Sequence, residues 1–229
     1  MEYVLGMKMN NLNILYEDNH IIVVVKPNNI LSQKDATNDL DLLTMVKNYI
    51  KEKYDKKGNV YLGLVHRLDR PVGGVMVFAK SSKAASRLSE MVKKHEFTKK
   101  YLAVVHGIFK EKEGTLTDYL LKKEDGNTII SNEKNGKIAK LNYKVLEECD
   151  NLSVVDIELL TGRHHQIRVQ FASRNHPLYG DQRYGKLDNK QIALWAYSLE
   201  FVHPVKKEIM KFFCLPPKKD IWQKFNMKL

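Results

Sequence analysis

The chain has 229 residues, 43% of them hydrophobic and 28% charged, with 38 Lys and Arg against 27 Asp and Glu, a formal net charge of +11. That apolar content supplies a full core, no apolar run approaches the ~18 residues of a membrane-spanning helix, and Cys149 and Cys214 are too far apart and too few for a disulfide framework or a zinc site. The basic surplus favours a polyanionic partner, nucleic acid first.

The opening "MEYVLGMKMNN" lacks the basic-then-apolar order of a signal peptide, so a soluble cytoplasmic protein is expected, by default a monomer. "IIVVVKP" (21–27) reads as a buried strand ended by Pro27. From Asp39 or Asp41, "LLTMVKNYIKEKY" reads as a helix with Leu42, Val46, Tyr49 and Ile50 on one face. Residues 72–79 read as a strand. Ser81 or Ser82 then caps a helix whose stripe is Ala84, Leu88, Met91 and His95. "YLAVVHG" (101–107) is the next strand, opened by Tyr101.

Residues 110–140 are mostly polar, with turn signals at Asp125–Gly126 and Asn135–Gly136; they read as hairpins and offer the only candidate boundary between lobes. "LSVVDIEL" (152–159) and "LWAYSLEF" (194–201) alternate as strands do, and "TGRHHQIRVQFASRN" between them reads as a turn followed by a helix. Neighbouring strands often lack a long intervening helix. The expected fold class is therefore α+β, a mixed, largely antiparallel central sheet flanked by helices and loops, with room for two lobes around a cleft.

Two polar clusters stand out. In "GLVHRLDRPVGGVMVFAK" (63–80), Asp69 lies among His66, Arg67 and Arg70, ahead of Gly73–Gly74. An aspartate held by an arginine in a sheltered site stays ionised and can act as nucleophile or base; a surface bridge to Arg67 or Arg70 is the bland reading. In "TGRHHQIRVQF" (161–171), Arg163 and Arg168 flank His164, His165 and Gln166. Adjacent histidines on a helix point in different directions, which makes a shared metal unsuited to them. The arginines suit either phosphate or an inward carboxylate.

Taken together, these stretches resemble the RluA-type family of RNA pseudouridine synthases. The first signature is "HRLDRPVGGVMVFAK", the second "KKYLAVVHG", the third "TGRHHQIRVQF" followed by "HPLYGDQRYG"; "ILYEDNHIIVVVKPNNI" and "LWAYSLEFVHP" match in kind and order. The usual Thr-Ser-Gly of the family is Val72-Gly73-Gly74 here. The resemblance implies one catalytic domain over 1–229 without an N-terminal S4-like domain, acting on ribosomal or transfer RNA with neither metal nor organic cofactor. It implies Asp69 as the catalytic carboxylate, either attacking the sugar or assisting loss of the 2′ proton. Tyr101 would be a phenol that shuttles a proton or stacks on the base, and Arg168 a partner of Asp69. Arg67 would fill the gap left by a flipped base, and His66, Arg163, His165 and Gln166 would contact substrate. The alternatives are an RNA-binding module without catalysis and a glycosidase-like hydrolase, which usually requires a second carboxylate.

Overall fold

A computed structural model describes residues 12–227; the start of the chain, with its bearing on targeting, lies outside the described residues. The described chain falls into two compact units, residues 12–97 with Leu199–Cys214, and Thr98–Ser198 with residues 215–227.

In the first unit, β1 (Asn13–Glu17) runs antiparallel to β2 (Ile21–Lys26), and β2 antiparallel to β4 (Gly73–Ala79). The β1–β2 turn is closed by Asp18, whose Oδ1 accepts the amides of His20 at 2.7 Å and Ile21 at 2.9 Å. Every residue of β2 and β4 is buried, and apart from Lys26 at the end of β2 these strands read as continuous apolar runs rather than alternating ones. Helix α1 (Leu42–Lys53) is capped by Asp41, which accepts the Thr44 amide at 3.0 Å, and buries Leu42, Val46 and Ile50.

Helix α2 (Ser82–Lys93) is capped by Ser81 and buries Ala84 and Leu88. His95 does not extend that stripe, as its spacing suggests. It is exposed, with φ 59°. The His95 amide bonds the Val92 carbonyl and the Glu96 amide the Met91 carbonyl, a left-handed stop that ends the helix two residues earlier. Between the helices, the two-residue β3 (Gly63–Leu64) pairs with β4. The core gathers Val23, Val75, Val77, Leu88 and Phe97 with Leu199 and Phe201, the Phe97 and Phe201 rings stacking at 5.0 Å.

In the second unit, β5 (Thr98–His106) pairs with β9 (Leu152–Leu159), β9 with β8 (Lys137–Cys149), β8 with β6 (Glu113–Lys122), and β6 with β7 (Thr128–Ser131), all antiparallel. The hairpins expected in 110–140 are present, but the lobe boundary is not there. Those residues lie wholly inside the second unit, and the chain divides at Phe97/Thr98 and Ser198/Leu199. Their polarity reflects strands with a solvated face, not a linker. The β5 strand begins at Thr98, so Tyr101 is its fourth residue and buried rather than its opening one.

Helix α3 (Gln166–Ala172) lays Val169 against Leu120 and Ala139. The strand β10 (Leu194–Val202) has six consecutive buried residues where alternation was expected, and β11 (Ile209–Phe213) neighbours it. The α+β class and the largely antiparallel pairing agree with the sequence reading. Among the described residues, no helix is long and apolar enough to cross a membrane.

Candidate active site

Asp69 sits half-buried on the loop between β3 and β4, and that loop is held through its main chain. Ser32 grips the residue before it: the Ser32 hydroxyl donates to the Leu68 carbonyl at 2.7 Å and accepts the Leu68 amide at 3.1 Å. Lys26 grips the residue after it. The Lys26 ammonium is fully buried at the end of β2 and donates to the carbonyls of Arg70 (3.0 Å), Pro27 (3.0 Å) and Ile30 (2.5 Å). Three donors meet three acceptors, which suits the ammonium form. Burial pushes the Lys26 ammonium down to about 7, a fall that the Asp69 charge opposes and Arg70 reinforces.

The Asp69 carbonyl accepts the Val72 amide at 3.0 Å, closing the turn that leads into β4. His66 explains why β3 is so short. Its Nε2 accepts the Val77 amide at 3.1 Å, taking the place of the next backbone acceptor in the ladder, while its ring meets Phe97 edge-on at 6.1 Å. Gly74 lies opposite Lys26 with φ 130°, a conformation that side chains resist. Of the two arginines flanking Asp69, Arg67 is exposed, and Arg70 pairs at 2.7 Å with Asp39 on the surface.

In the second unit, the turn before α3 is held by its own side chains. The Gln166 amide oxygen accepts the Thr161 hydroxyl at 2.8 Å and the Arg163 amide at 3.0 Å, and its nitrogen donates to the Lys140 carbonyl at 3.0 Å. His165 adopts φ 52° just ahead of the helix. The two histidines therefore precede α3 and do not diverge. Their rings stack at 3.7 Å, with His164 Nδ1 at 2.9 Å from the Thr128 hydroxyl and His165 Nδ1 at 2.8 Å from the Tyr184 hydroxyl. Arg163 donates from Nε to the Ile138 carbonyl at 2.9 Å.

Arg168 is buried and forked onto Asp181: Nε donates to Oδ2 at 2.8 Å and Nη2 to Oδ1 at 2.7 Å. The Tyr184 ring lies 5.2 Å from the guanidinium carbon. Asp181 also accepts the amides of Arg183 and Tyr184. Burial pushes its carboxyl up, but Arg168 and the two amides outweigh burial and hold it below the usual carboxylate range. The result is a guanidinium fixed in orientation by a carboxylate that stays charged.

The family model described as RNA pseudouridylate synthase matches residues 20–173. The chain is 35% identical over 205 residues to the uncharacterized RNA pseudouridine synthase YhcT of Bacillus subtilis, an overlap covering 87% of this chain and 67% of that protein. It is 34% identical over 223 residues to ribosomal large subunit pseudouridine synthase D of Haemophilus influenzae, covering 90% and 68%. The chain belongs to the RluA-type family of RNA pseudouridine synthases. It is accordingly an isomerase that acts on RNA. Its fold is also that of human RNA pseudouridylate synthase domain containing 4, with a TM-score of 0.76 at 22% identity over 90% of this chain and 89% of that one.

In this pseudouridine synthase, the residues singled out in sequence fall into two groups. His66, Arg67 and Asp69 share the β3–β4 loop, and Arg163, His165, Gln166 and Arg168 share the turn and first residues of α3, with Tyr101 on β5 of the same unit. Four residues escaped the sequence reading. Lys26 carried a signal, a lone charge closing an otherwise apolar strand. Asp181 carried one too, an acid inside "LYGDQRYG". Ser32 and Tyr184 carried none, because only the folded chain brings them to Leu68 and to His165.

Proposed function

We propose that this synthase isomerises uridine in large-subunit ribosomal RNA, with Asp69 as the catalytic carboxylate. The observation that carries the reading is the construction of the Asp69 loop: buried Ser32 and Lys26 clamp the main chain on both sides of one acidic side chain. Such clamping serves a group whose position matters to a reaction. The choice of RNA is supported by the likeness to proteins named as ribosomal large subunit synthases.

In the isomerisation the N1–C1′ bond breaks and a C5–C1′ bond forms; the proton lost from C5 is balanced by one gained at N1. No electrons are transferred and no water is incorporated, so Asp69, assisted by Tyr101 and Arg168, has no need of a metal or organic cofactor. A base inside a helix is out of reach, so the uridine flips out and Arg67 occupies its place. Arg163 and His165 contact the RNA, and the work takes place in the cytoplasm. Gln166 and His66, with side-chain atoms bonded to the loop and to β4, act by holding their segments in place.

The test has two parts. Pseudouridines lost from ribosomal RNA on deletion of the gene should reappear with the wild-type protein and not with Asp69→Asn, which should still bind RNA. A turnover rate for Asp69→Asn within tenfold of wild type would remove Asp69 from the catalytic role. Sites lost only from transfer RNA would replace the ribosomal substrate.

A further inference from the structure

A pocket of about 350 Å³ opens beside the turn that precedes α3, lined by Lys122, Lys137, Arg163 and His164 over a floor that includes Leu120 and Thr128. The strand register explains the gathering. Lys137 lies directly opposite Leu120, and Thr128 opposite Lys122. All four therefore project from the face of the β6–β7–β8 sheet that packs on α3. Where that face runs past the helix, apolar residues give way to lysines.

Among the described residues, no carboxylate lines this pocket. Two acids nearby in sequence are engaged elsewhere: Asp118 accepts Gln170 and Arg174, and Glu133 bonds the Tyr119 hydroxyl. Tyr119 belongs to the opposite face of β6, since its direction alternates with that of Leu120. A second pocket of similar size, on the other side of Thr128, carries Asp125 beside Lys123 and Arg183 and is mixed in charge. Of these two pockets, the first gathers cations with no carboxylate in its lining among the described residues. Its Arg163 is fixed in place by the Ile138 carbonyl and the Gln166 side chain.

We propose that this pocket binds a backbone phosphate of the RNA substrate, with Lys122 and Lys137 as its contacts and Arg163 as its fixed edge. A phosphodiester offers two anionic oxygens to several donors at once, and the leucine floor suits the attached ribose. The site anchors the RNA at a point within the second unit and sets its register. The proposal rests on the ribosomal RNA reading above.

Unmodified stem-loops tiling large-subunit ribosomal RNA are titrated with wild type and with the Lys122→Ala/Lys137→Ala variant over a salt series. The variant should bind roughly tenfold more weakly at low salt, with a log–log salt slope smaller by about one to two. Both lysines are exposed, and an unchanged thermal melt checks the fold. Diffuse charge would produce the same loss, so the deciding step uses single neutral methylphosphonate linkages, placed one at a time in the tightest-bound stem-loop. At one or two linkages the wild type should lose affinity and the variant should lose no more. If every linkage costs the variant as much as the wild type, the pocket makes no specific phosphate contact and the proposal is overturned. Saturable binding of inorganic phosphate at this pocket without any coupled linkage would make it a small-anion site and overturn it too. If pseudouridine forms only in transfer RNA, the ribosomal reading fails, and the same linkage test on the transfer RNA stem-loop still decides the pocket.

Discussion

The loop carrying Asp69 and the turn leading to Arg168 are held by opposite means. Around Asp69 the anchors come from distant sequence, Lys26 and Ser32, and they bond backbone atoms of Leu68 and Arg70. Around Arg168 the anchors belong largely to the turn and its helix, and they bond through side chains: Gln166 closes the turn and Arg168 itself forks onto Asp181. The first arrangement fixes where the chain goes and tolerates many side chains. The second fixes a particular guanidinium and depends on the identity of its partner. Substitutions at the partner residues should therefore behave differently in the two places.

The largest effect is expected at Asp181. Asp181→Ala removes the carboxylate onto which the buried Arg168 guanidinium forks, which costs about 3–5 kcal/mol. In a chain of this length that lowers the melting temperature by on the order of 10 °C. Asp181→Asn keeps the shape and removes the charge, and should cost less stability while still lowering turnover, because only one of its side-chain atoms can accept from the guanidinium. Thermal melts and single-turnover rates on the two variants measure this. Equal stability of Asp181→Ala and wild type would show that the fork contributes nothing.

Next comes Lys26. Lys26→Met removes the buried donor shared by three carbonyls, and a loss of about 2 kcal/mol is expected, with slower turnover as the Arg70 carbonyl is released. The pH dependence sharpens the point. In the folded chain this ammonium titrates near 7, against 10.5 when unperturbed. Below about 7 both folded and unfolded states hold the proton. Between 7 and 10.5 only the unfolded state does, so this group makes stability rise with pH across that window. Denaturant titrations between pH 6 and 10 should show that rise in wild type and lose it in Lys26→Met. An identical pH profile for the two would remove Lys26 as its source.

The same contrast explains what could be read from the sequence. Local signals carried the elements: Asp41 and Ser81 cap where capping residues were sought, and "LSVVDIEL" is a strand from end to end. Within the candidate site, residues crowded in one motif were visible together, as in "HRLD" and "GRHHQIR". The anchors of the Asp69 loop were hidden because their partners are backbone atoms, which leave no mark on composition or spacing. The pairing of His164 with His165 was misjudged for a related reason. It depends on the left-handed φ of His165, and a helical reading of the segment does not contain that turn.

Ser32 tests the backbone clamp on a smaller scale. Ser32→Ala removes both bonds to Leu68 within a buried setting, and a loss of about 1–2 kcal/mol is expected. Ser32→Cys retains a weak donor and acceptor and should recover part of it. If the clamp positions Asp69, turnover at saturating RNA should fall in Ser32→Ala, with RNA affinity much less affected. A change in affinity alone would reduce Ser32 to a stabiliser of the fold.

The smallest effect is expected where the sequence suggested a large one. Arg70 adjoins Asp69 in the chain, and two arginines around one acid invite the idea that both manage its charge. Arg70 instead meets Asp39 at 2.7 Å, with both side chains nearly half exposed. Exposed pairs of this kind contribute about 0–1 kcal/mol and are screened by salt. Asp39→Ala should therefore shift stability by less than about 0.5 kcal/mol. What the structure takes from position 70 is its carbonyl, held by Lys26, and any residue supplies one. Arg70→Gln should accordingly keep most of its turnover at saturating RNA, in contrast to Lys26→Met. A collapse of turnover in Arg70→Gln that Asp39→Ala does not share would mean that the Arg70 side chain acts on the reaction itself, and the view of this loop as held through its backbone would have to give way at that residue.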